Sequence, residues 1–483
     1  MTEAPIILWF RQDLRLADNP ALRLACDSGR PVVLLYVLAD AADGRPWGGA
    51  SRWWLERSLR ALDASLGALG ARLVLRRGDP VSVVEAMARE VGATDVVWNR
   101  VYGGAAQARD AALMARLTEN GVRARSCNAS LLLEPWALRT GAGGAYKVFT
   151  PFWRAARAAI GAPEVLGAPT RIAALERPPA SDRLEDWTLY PAAPDWAAGF
   201  GDWIPGEAGA RARLDAFLQG GFGRYAAQRD EPGIEASSRL SPHLHWGEIG
   251  PRQVWAAAHA ASAAGLASER DLDKLLSELG WREFNHHLLA ERPDLKDAAF
   301  KPAYEAMPWR SDPQGLAAWR RGRTGYPLVD AGMRQLWTTG WMHNRVRLVA
   351  ASFLVKHLLI DWREGERWFW DTLVDADEAN NPANWQWVAG CGADASPFFR
   401  IFSPVAQGER FDPKGDYVRR WVPELAGLPD SLIHQPWKGT AAERNRAGME
   451  PGDYPAPVVE HAQARLRALD AFKNLTPPST DSL

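Results

Sequence analysis

Along its first 130 residues the chain alternates short, continuously apolar runs with stretches whose apolar residues recur at helical spacing. The runs are IILWF at 6–10, PVVLLYVL at 31–38, RLVLRRG at 72–78, DVVWNR at 95–100 and RARSCNASLLLE at 123–134. Short apolar runs bounded by turn formers predict strands buried in a parallel sheet. Helix punctuation lies between them: Asn19 and Asp79 as N-caps, Pro20 and Pro80 at the first helical position, and Gly29, Gly70, Gly92 and Gly121 after the last turns. This alternation predicts an α/β domain with a doubly wound parallel sheet. No GxGxxG follows the first strand, and the cluster GAGG at 141–144 comes after the last one, which disfavours a dinucleotide fold of the usual kind.

From about 150 to 205 the chain is rich in Pro and Ala with few periodic segments (APEVLGAPTRI, RPPASD, YPAAPDW), as expected of a long surface connection. After 205 the pattern becomes helical: DLDKLLSELGWREFNHHLLAER, PLVDAGMRQLWTTG and NRVRLVAASFLVKHLLI carry apolar residues at i, i+3, i+4 and i+7. The expected organisation is an α/β domain over 1–131, a connector over 132–204 and an all-α domain over 205–475. A length of 483 residues agrees with two domains. No internal repeat or low-complexity tail is visible.

Composition is ordinary except in one respect: 24 tryptophans, about 5% of the chain, well above usual usage. Indoles serve packing, stacking or redox chemistry. The formal net charge of −1 argues against a nucleic-acid partner unless basic residues are locally clustered. No apolar run is long enough to span a bilayer, and the N-terminus, MTEAPIILWFRQDLRL, has no secretory pattern, so a soluble cytosolic protein is expected. Cys26, Cys127 and Cys391 are too few and too scattered for a disulfide framework or an iron–sulfur cluster, and the histidines lack metal-site spacing, so no metal is expected.

Four segments of the helical half concentrate polar residues among tryptophans. In ASSRLSPHLHWGE, Ser237, Ser238 and Ser241 surround Arg239 just before a helical stretch, an arrangement that suits a pyrophosphate and equally an ordinary N-cap. In SELGWREF, Glu278, Trp281 and Arg282 share one helical face, as a surface ion pair beside a core indole would also do. In GWMHNRVR, Asn344 and Arg347 share a face. Asp375 and Asp377 in LVDADEANN suit a partner for that arginine, a polar ligand or a solvated acidic loop.

Taken together, WFRQDLRLADNPAL, YKVFTPFW, SSRLSPHL, WREF, TGYPLVDAGMRQL, GWMHNRVR, DWREGE and NNPANWQWVAGCGADASPFFRIFSP resemble the signature blocks of photolyases and cryptochromes, from about residue 6 to beyond 460. The resemblance implies a helical domain that holds FAD in a folded conformation. Tyr225 and Ser237, Ser238, Arg239, Leu240 and Ser241 match the family's phosphate contacts. Arg282, Asn344, Arg347, Asp375, Asp377 and Asn381 match residues around the isoalloxazine and ribose. A reduced anionic flavin calls for a nearby cation and donors, roles that fit Arg347 and Asn381. The implied activity is light-driven splitting of cyclobutane pyrimidine dimers in ultraviolet-damaged DNA, with the dimer extruded into the site.

Trp281 and Trp387 match the aromatic walls of the dimer pocket and Glu278 the carboxylic group that holds the bases. Asn344, Arg229, Arg345 and Gln407 match positions near DNA, where a local basic rim would offset the net charge. Trp385, Trp362 and Trp309 match the family's chain of indoles that carries an electron to photoexcited oxidised flavin, although any one tryptophan equally fits a core position. The sequence departs from many microbial members at Leu275, where a tryptophan is common, and at Leu348, where methionine is usual. SRWWLERSLRALDASLGALG and LLLEPWAL resemble the bacterial branch close to plant cryptochromes (class III-like), which implies a methenyltetrahydrofolate antenna, with 8-hydroxy-5-deazaflavin as the alternative. AAQARD at 105–110 and the surroundings of Lys296 lack the charged folate contacts of better-known bacterial enzymes. Competing readings are a signalling cryptochrome, in whose plant members aspartate replaces Asn381, and a (6-4) photolyase, which requires a histidine where Asn344 stands. A monomer is expected.

Overall fold

The structure, a computed structural model, describes residues 3–39, 45–191, 193–395 and 399–475. The first two residues of the N-terminus and residues 396–398 of the longest C-terminal block lie outside them. Strands β1 (Ile6–Phe10), β2 (Val32–Leu38), β3 (Leu73–Arg77), β4 (Asp95–Asn99) and β5 (Arg123–Cys127) form one parallel sheet in the order β3-β2-β1-β4-β5. Ile6 lies opposite both Val32 and Asp95. Strands β1, β2 and β4 are buried throughout, as central strands covered by helices on both faces must be.

β5 departs from that pattern. It is the sheet edge, and its RARSC side chains are exposed or half-buried, the charged residues suiting a free edge. The apolar LLL that follows is not part of the strand, because Asn128 Oδ1 accepts from Leu131 N (3.0 Å) and turns the chain. Among the helices α1 (Pro20–Asp27), α2 (Gly49–Gly67), α3 (Pro80–Val91) and α4 (Gly104–Glu119), the expected caps form: Asn19 accepts from Leu22 N, Asp79 accepts from Ser82 N, and Gly92 closes α3 at φ 65°. At the carboxyl ends of β1 and β4, where the strand order reverses, polar side chains satisfy one another. Arg11 reaches Asp110 (2.7 Å), and Asn99 donates to Asp13 (2.5 Å) and Asn19 (2.7 Å).

The stretch expected to be irregular opens instead with a helix, α5 (Phe149–Ile160). Phe152 and Ala156, at i and i+4, are buried, and Pro151 falls in the first turn, where no N–H is needed. Later parts of the connector return to the sheet, where Val32 N donates to Ala173 O (2.7 Å) and Asp182 N to Leu75 O (2.9 Å).

Beyond it lie α6 (Glu207–Gln219), α7 (Tyr225–Gln228), α8 (Ser241–His245), α9 (Pro251–Ala263), α10 (Glu269–Glu291), α11 (Pro313–Arg320), α12 (Pro327–Thr339), α13 (Asn344–Ser352), α14 (Trp362–Thr372), α15 (Asn380–Ala389) and α16 (Pro404–Phe411). A Ser268–Asp271 capping box starts α10. His343 caps α13 by accepting from Arg345 N, which burial favours by lowering its imidazole to about 4, so the ring stays neutral. The periodicity read over 344–360 holds only to Ser352, where the helix widens into a π turn at Phe353–His357.

Most of the surplus tryptophan goes into packing. Trp9, Trp54, Trp98, Trp246, Trp319 and Trp362 are fully buried, and several donate their indole N–H, Trp54 to Glu248 (2.9 Å) and Trp319 to Ala350 O (2.9 Å). Glu248 has no exposed surface and ties three segments together, accepting from Trp54 and Gly206 N (2.6 Å) and pairing with His243.

Glu283 plays a similar part between α10 and the connector, with Oε2 accepting from Leu132 N (3.0 Å) and Leu133 N (3.1 Å). Burial outweighs Arg282 and pushes its carboxyl up from 4.5 to about 7. A raised acid stabilises the fold in its protonated form. Its contribution is present below about 4.5 and is lost as pH rises through 7. Glu283→Gln should therefore flatten the decline in stability between those limits by about 3 kcal/mol. Urea unfolding midpoints of both proteins at the two ends of that window measure it; an unchanged difference would mean that Glu283 is ionised in the fold.

Candidate active site

A cavity of about 460 Å³ opens among α7, α8, α10, α13 and α15, a size usual for cofactor sites. A recess of about 90 Å³ adjoins it and shares Asn344, Arg347 and Asp375 with it.

One wall is α10. Glu278, Trp281 and Arg282 all face the cavity, as the i, i+3, i+4 spacing requires, together with Lys274 one turn earlier. The ion pair open to Glu278 and Arg282 does not form. Glu278 binds Arg229 and Lys274 (3.0 Å), while Arg282 donates to Ser130 O (2.5 Å) and lies 3.6 Å from Glu283. Trp281 has one ring face covered by Phe149 of α5, stacked at 3.7 Å between centroids and 6° between planes. Trp387 lines the same cavity, as do Leu275 and Leu348.

The opposite side is built on α13 and the segment before α15. The Arg347 fork closes on Asp375, Nη1 to Oδ1 at 3.1 Å and Nη2 to Oδ2 at 2.8 Å, and its Nε donates to Met342 O (2.7 Å). Ser241 Oγ donates to the same carboxylate (2.6 Å), so the buried charge is fully partnered. Asp377 is the other carboxylate. Burial raises it, but His286, His245 and Arg282 outweigh burial and hold it well below the usual carboxylate range. The backbone N–H groups of Ala379 (2.8 Å) and Asn380 (2.6 Å) donate to it as well. His245 also borders the cavity, and its Nε2 is buried with no hydrogen-bond partner among the described residues.

Tyr225, Ser238, Leu240 and Ser241 line the cavity, but Ser237 and Arg239 do not. The backbone turns at Arg239 (φ 51°), whose side chain pairs with Glu235 (3.0 Å) and lies over Trp341 (4.9 Å), bordering a separate crevice together with Ser237. The serine cluster is therefore not one cradle, and the helix that follows, α8, has only five residues. Asn381 and Trp385 sit in the recess.

Trp362 and Trp309 border neither space. Trp385 packs against Gly365, one turn beyond Trp362 on α14, and its ring meets Phe369 and Trp319 edge-on. Half-buried Trp309 is held near the start of α14, since Arg310 N donates to Leu359 O (2.7 Å). Gln407 lies on α16 with its Oε1 buried and without a hydrogen-bond partner among the described residues, outside the cavity lining. The expected basic rim is not free charge: Arg345 pairs with Asp230 (2.6 Å), and Arg229, 11% exposed, is engaged by Glu278.

Sequence reasoning passed over Lys274, His245, Asn380 and Phe149. Lys274 was readable as the i−4 neighbour of Glu278. Phe149 was not, because its contact depends on how α5 docks against α10.

Residues 6–171 match the DNA photolyase family, and residues 275–474 match the FAD binding domain of DNA photolyase. The deoxyribodipyrimidine photo-lyase of Agrobacterium fabrum is 50% identical over 97% of this chain and 98% of its own length. Cryptochrome-1 of Arabidopsis thaliana is 38% identical over 97% of this chain and 70% of its own. The crystal structure of a bacterial class III photolyase from Agrobacterium tumefaciens superposes with a TM-score of 0.95 at 49% identity, covering 98% of each chain. Site chemistry, fold and sequence thus point the same way, and the chain belongs to the photolyase/cryptochrome family.

Proposed function

We propose that the protein is a deoxyribodipyrimidine photo-lyase, which uses light to split cyclobutane pyrimidine dimers in DNA. The observation that carries this reading is one cavity with two sets of groups: Arg347, Asp375, Asp377 and His245 Nε2 suit a flavin dinucleotide, and Glu278, Trp281 and Trp387 suit a flipped pyrimidine dimer. Held by Arg347, Asp375 and Asp377, reduced FAD would supply the light-driven one-electron chemistry that opens the cyclobutane ring. Asp375, fixed by Arg347 and Ser241, and Asp377 offer ionised acceptors to hydroxyl or imide donors. Tyr225, Ser238 and Leu240 are assigned to the phosphate end, Ser237 and Arg239 only through their backbone. Glu278 accepts from the N–H groups of the dimer, and the open faces of Trp281 and Trp387 exclude water around it.

The test is repair of a dimer-containing oligonucleotide by flavin-loaded protein, in light and in darkness. Absence of light-dependent repair at full FAD occupancy would favour the photoreceptor reading suggested by the likeness to cryptochrome-1. Asn381, in place of the plant aspartate, supports repair, and Asn344, in place of a histidine, supports the cyclobutane dimer over the (6-4) lesion. The division at 131 and 204, a monomer acting in the cytoplasm, and a methenyltetrahydrofolate antenna, with deazaflavin as the alternative, belong to the same proposal.

Trp385, Trp362 and Trp309 are assigned to electron supply for oxidised flavin. Trp309→Phe is expected to block photoreduction by an external reductant while sparing repair by chemically reduced protein. Transient absorption in the mutant checks this, and unchanged kinetics would remove Trp309 from the route.

Two substitutions separate charge from stacking in DNA binding. Arg345→Gln should flatten the dependence of log affinity on log salt by about one unit. Trp281→Ala should cost about 1–3 kcal/mol with an unchanged slope. Titrations from about 50 to 200 mM salt measure both, and equal slopes for wild type and Arg345→Gln would place Arg345 away from the phosphates.

A further inference from the structure

Asn381 is committed to one neighbour. Its Nδ2 donates to the Glu366 carbonyl (3.0 Å) and to Glu366 Oε1 (2.7 Å), which leaves the amide oxygen as the end available to the recess, an acceptor where the sequence suggested a donor. One of these acceptors is backbone, and the other, the carboxylate, serves only while it is held in place. Glu366 is 2% exposed, and a carboxylate so buried needs a cation to hold it in place as an acceptor.

The cation comes from the other domain. Arg45, in the segment between β2 and α2, clamps Glu366 with two hydrogen bonds of 2.8 Å each. Residues 45–49 are themselves fastened to α14. Arg45 lies 4.1 Å over the Trp370 ring, Trp370 Nε1 donates to Pro46 O (2.9 Å), and Trp47 stacks on Trp370 at 5.6 Å and 11°. Gly49 N then donates to Asp371 Oδ1 (2.9 Å), and a Cβ at Gly48 would collide with the Trp370 carbonyl.

From the Arg45–Glu366–Asn381 chain of contacts we infer that Arg45 is a positioning residue of the flavin site. It reaches across from the α/β domain to keep Glu366 an acceptor and so presents the oxygen of Asn381, rather than its nitrogen, to bound FAD. The inference rests on reading the cavity as an FAD site. An oxygen acceptor beside a flavin favours a protonated ring nitrogen and an N–H donor an unprotonated one, so the amide's orientation sets how readily the flavin is reduced.

The experiment measures the reduction potential of FAD bound to wild type, Arg45→Lys, Arg45→Gln, Glu366→Gln and the double variant Arg45→Gln/Glu366→Gln, with FAD content and melting temperature alongside. Arg45→Gln should shift the flavin's redox equilibrium about tenfold, equivalent to about 59 mV for one electron. Glu366→Gln removes the carboxylate that Arg45 holds, leaves Arg45 and its neighbours unchanged in sequence, and should shift it in the same direction. Arg45→Lys should remain close to wild type, and Arg45→Gln should add little once Glu366 is replaced. Unchanged potentials in both single variants, or an equal effect of Arg45→Gln with and without Glu366, would overturn the inference while leaving the FAD reading intact. A wild-type protein that takes up no FAD would overturn both.

Discussion

Replacing Arg347 with leucine is expected to strip the protein of FAD. Among the described residues the guanidinium is the only cation paired with Asp375, which is 8% exposed and also accepts from the Ser241 hydroxyl. Removing one member of a buried pair leaves an uncompensated charge, at a cost of about 3–5 kcal/mol. That is a loss of more than about a hundredfold in affinity if it falls on the flavin site. The visible flavin absorption of purified Arg347→Leu should be nearly absent, and added FAD should titrate back only weakly. A double variant, Arg347→Leu/Asp375→Leu, removes both charges and should recover the melting temperature without recovering FAD. Wild-type flavin content in Arg347→Leu would mean that the cofactor lies elsewhere.

Glu278→Ala should do the reverse, leaving FAD bound while repair falls. Glu278 is 29% exposed, and its recorded partners, Arg229 and Lys274, belong to the mouth rather than to the Arg347–Asp375 side. A charge-assisted hydrogen bond to the dimer is worth about 1.5–3 kcal/mol, so repair at subsaturating substrate should fall about tenfold to a hundredfold. Repair yield per absorbed photon, measured at low and at saturating oligonucleotide, separates lost binding from lost chemistry. Loss of flavin together with a large drop in melting temperature would instead make Glu278 a structural residue of α10.

Much of the sheet was legible because its signals are local. Strand runs, proline after a cap and glycine at a helix end each depend on a few neighbouring residues, and Asn19, Asp79 and Gly92 act as their types require. The failures have a common cause. β5 reads as buried only if the LLL after Asn128 belongs to it, and α5 lies in a proline-rich stretch whose packed face is just Phe152 and Ala156. In the site, the α10 face followed from helical spacing alone. The Arg347–Asp375 pairing was left open among other readings, since spacing within one helix cannot choose a partner on another segment. Ser237 and Arg239 were adjacent in sequence to true lining residues, and one left-handed residue sends them elsewhere. Glu366 and Arg45 carried no signal, being 321 residues apart.

The paired cations at the cavity mouth bear on how the protein would search a chromosome. With Arg229 and Lys274 sharing Glu278, Arg345 held by Asp230 and a net charge of −1, the mouth carries a small surplus of positive charge and exerts only a modest long-range pull on intact duplex. Steered association and sliding both feed on such a pull. An enzyme built this way spends little time parked on undamaged sequence, and it discriminates at the moment a lesion yields its bases, since a damaged, weakly stacked pair is the cheapest to extrude. Its turnover at sparse damage is then governed by the frequency of collisions with the lesion, and raising the salt slows it less than it would slow a protein that scans by electrostatic adhesion.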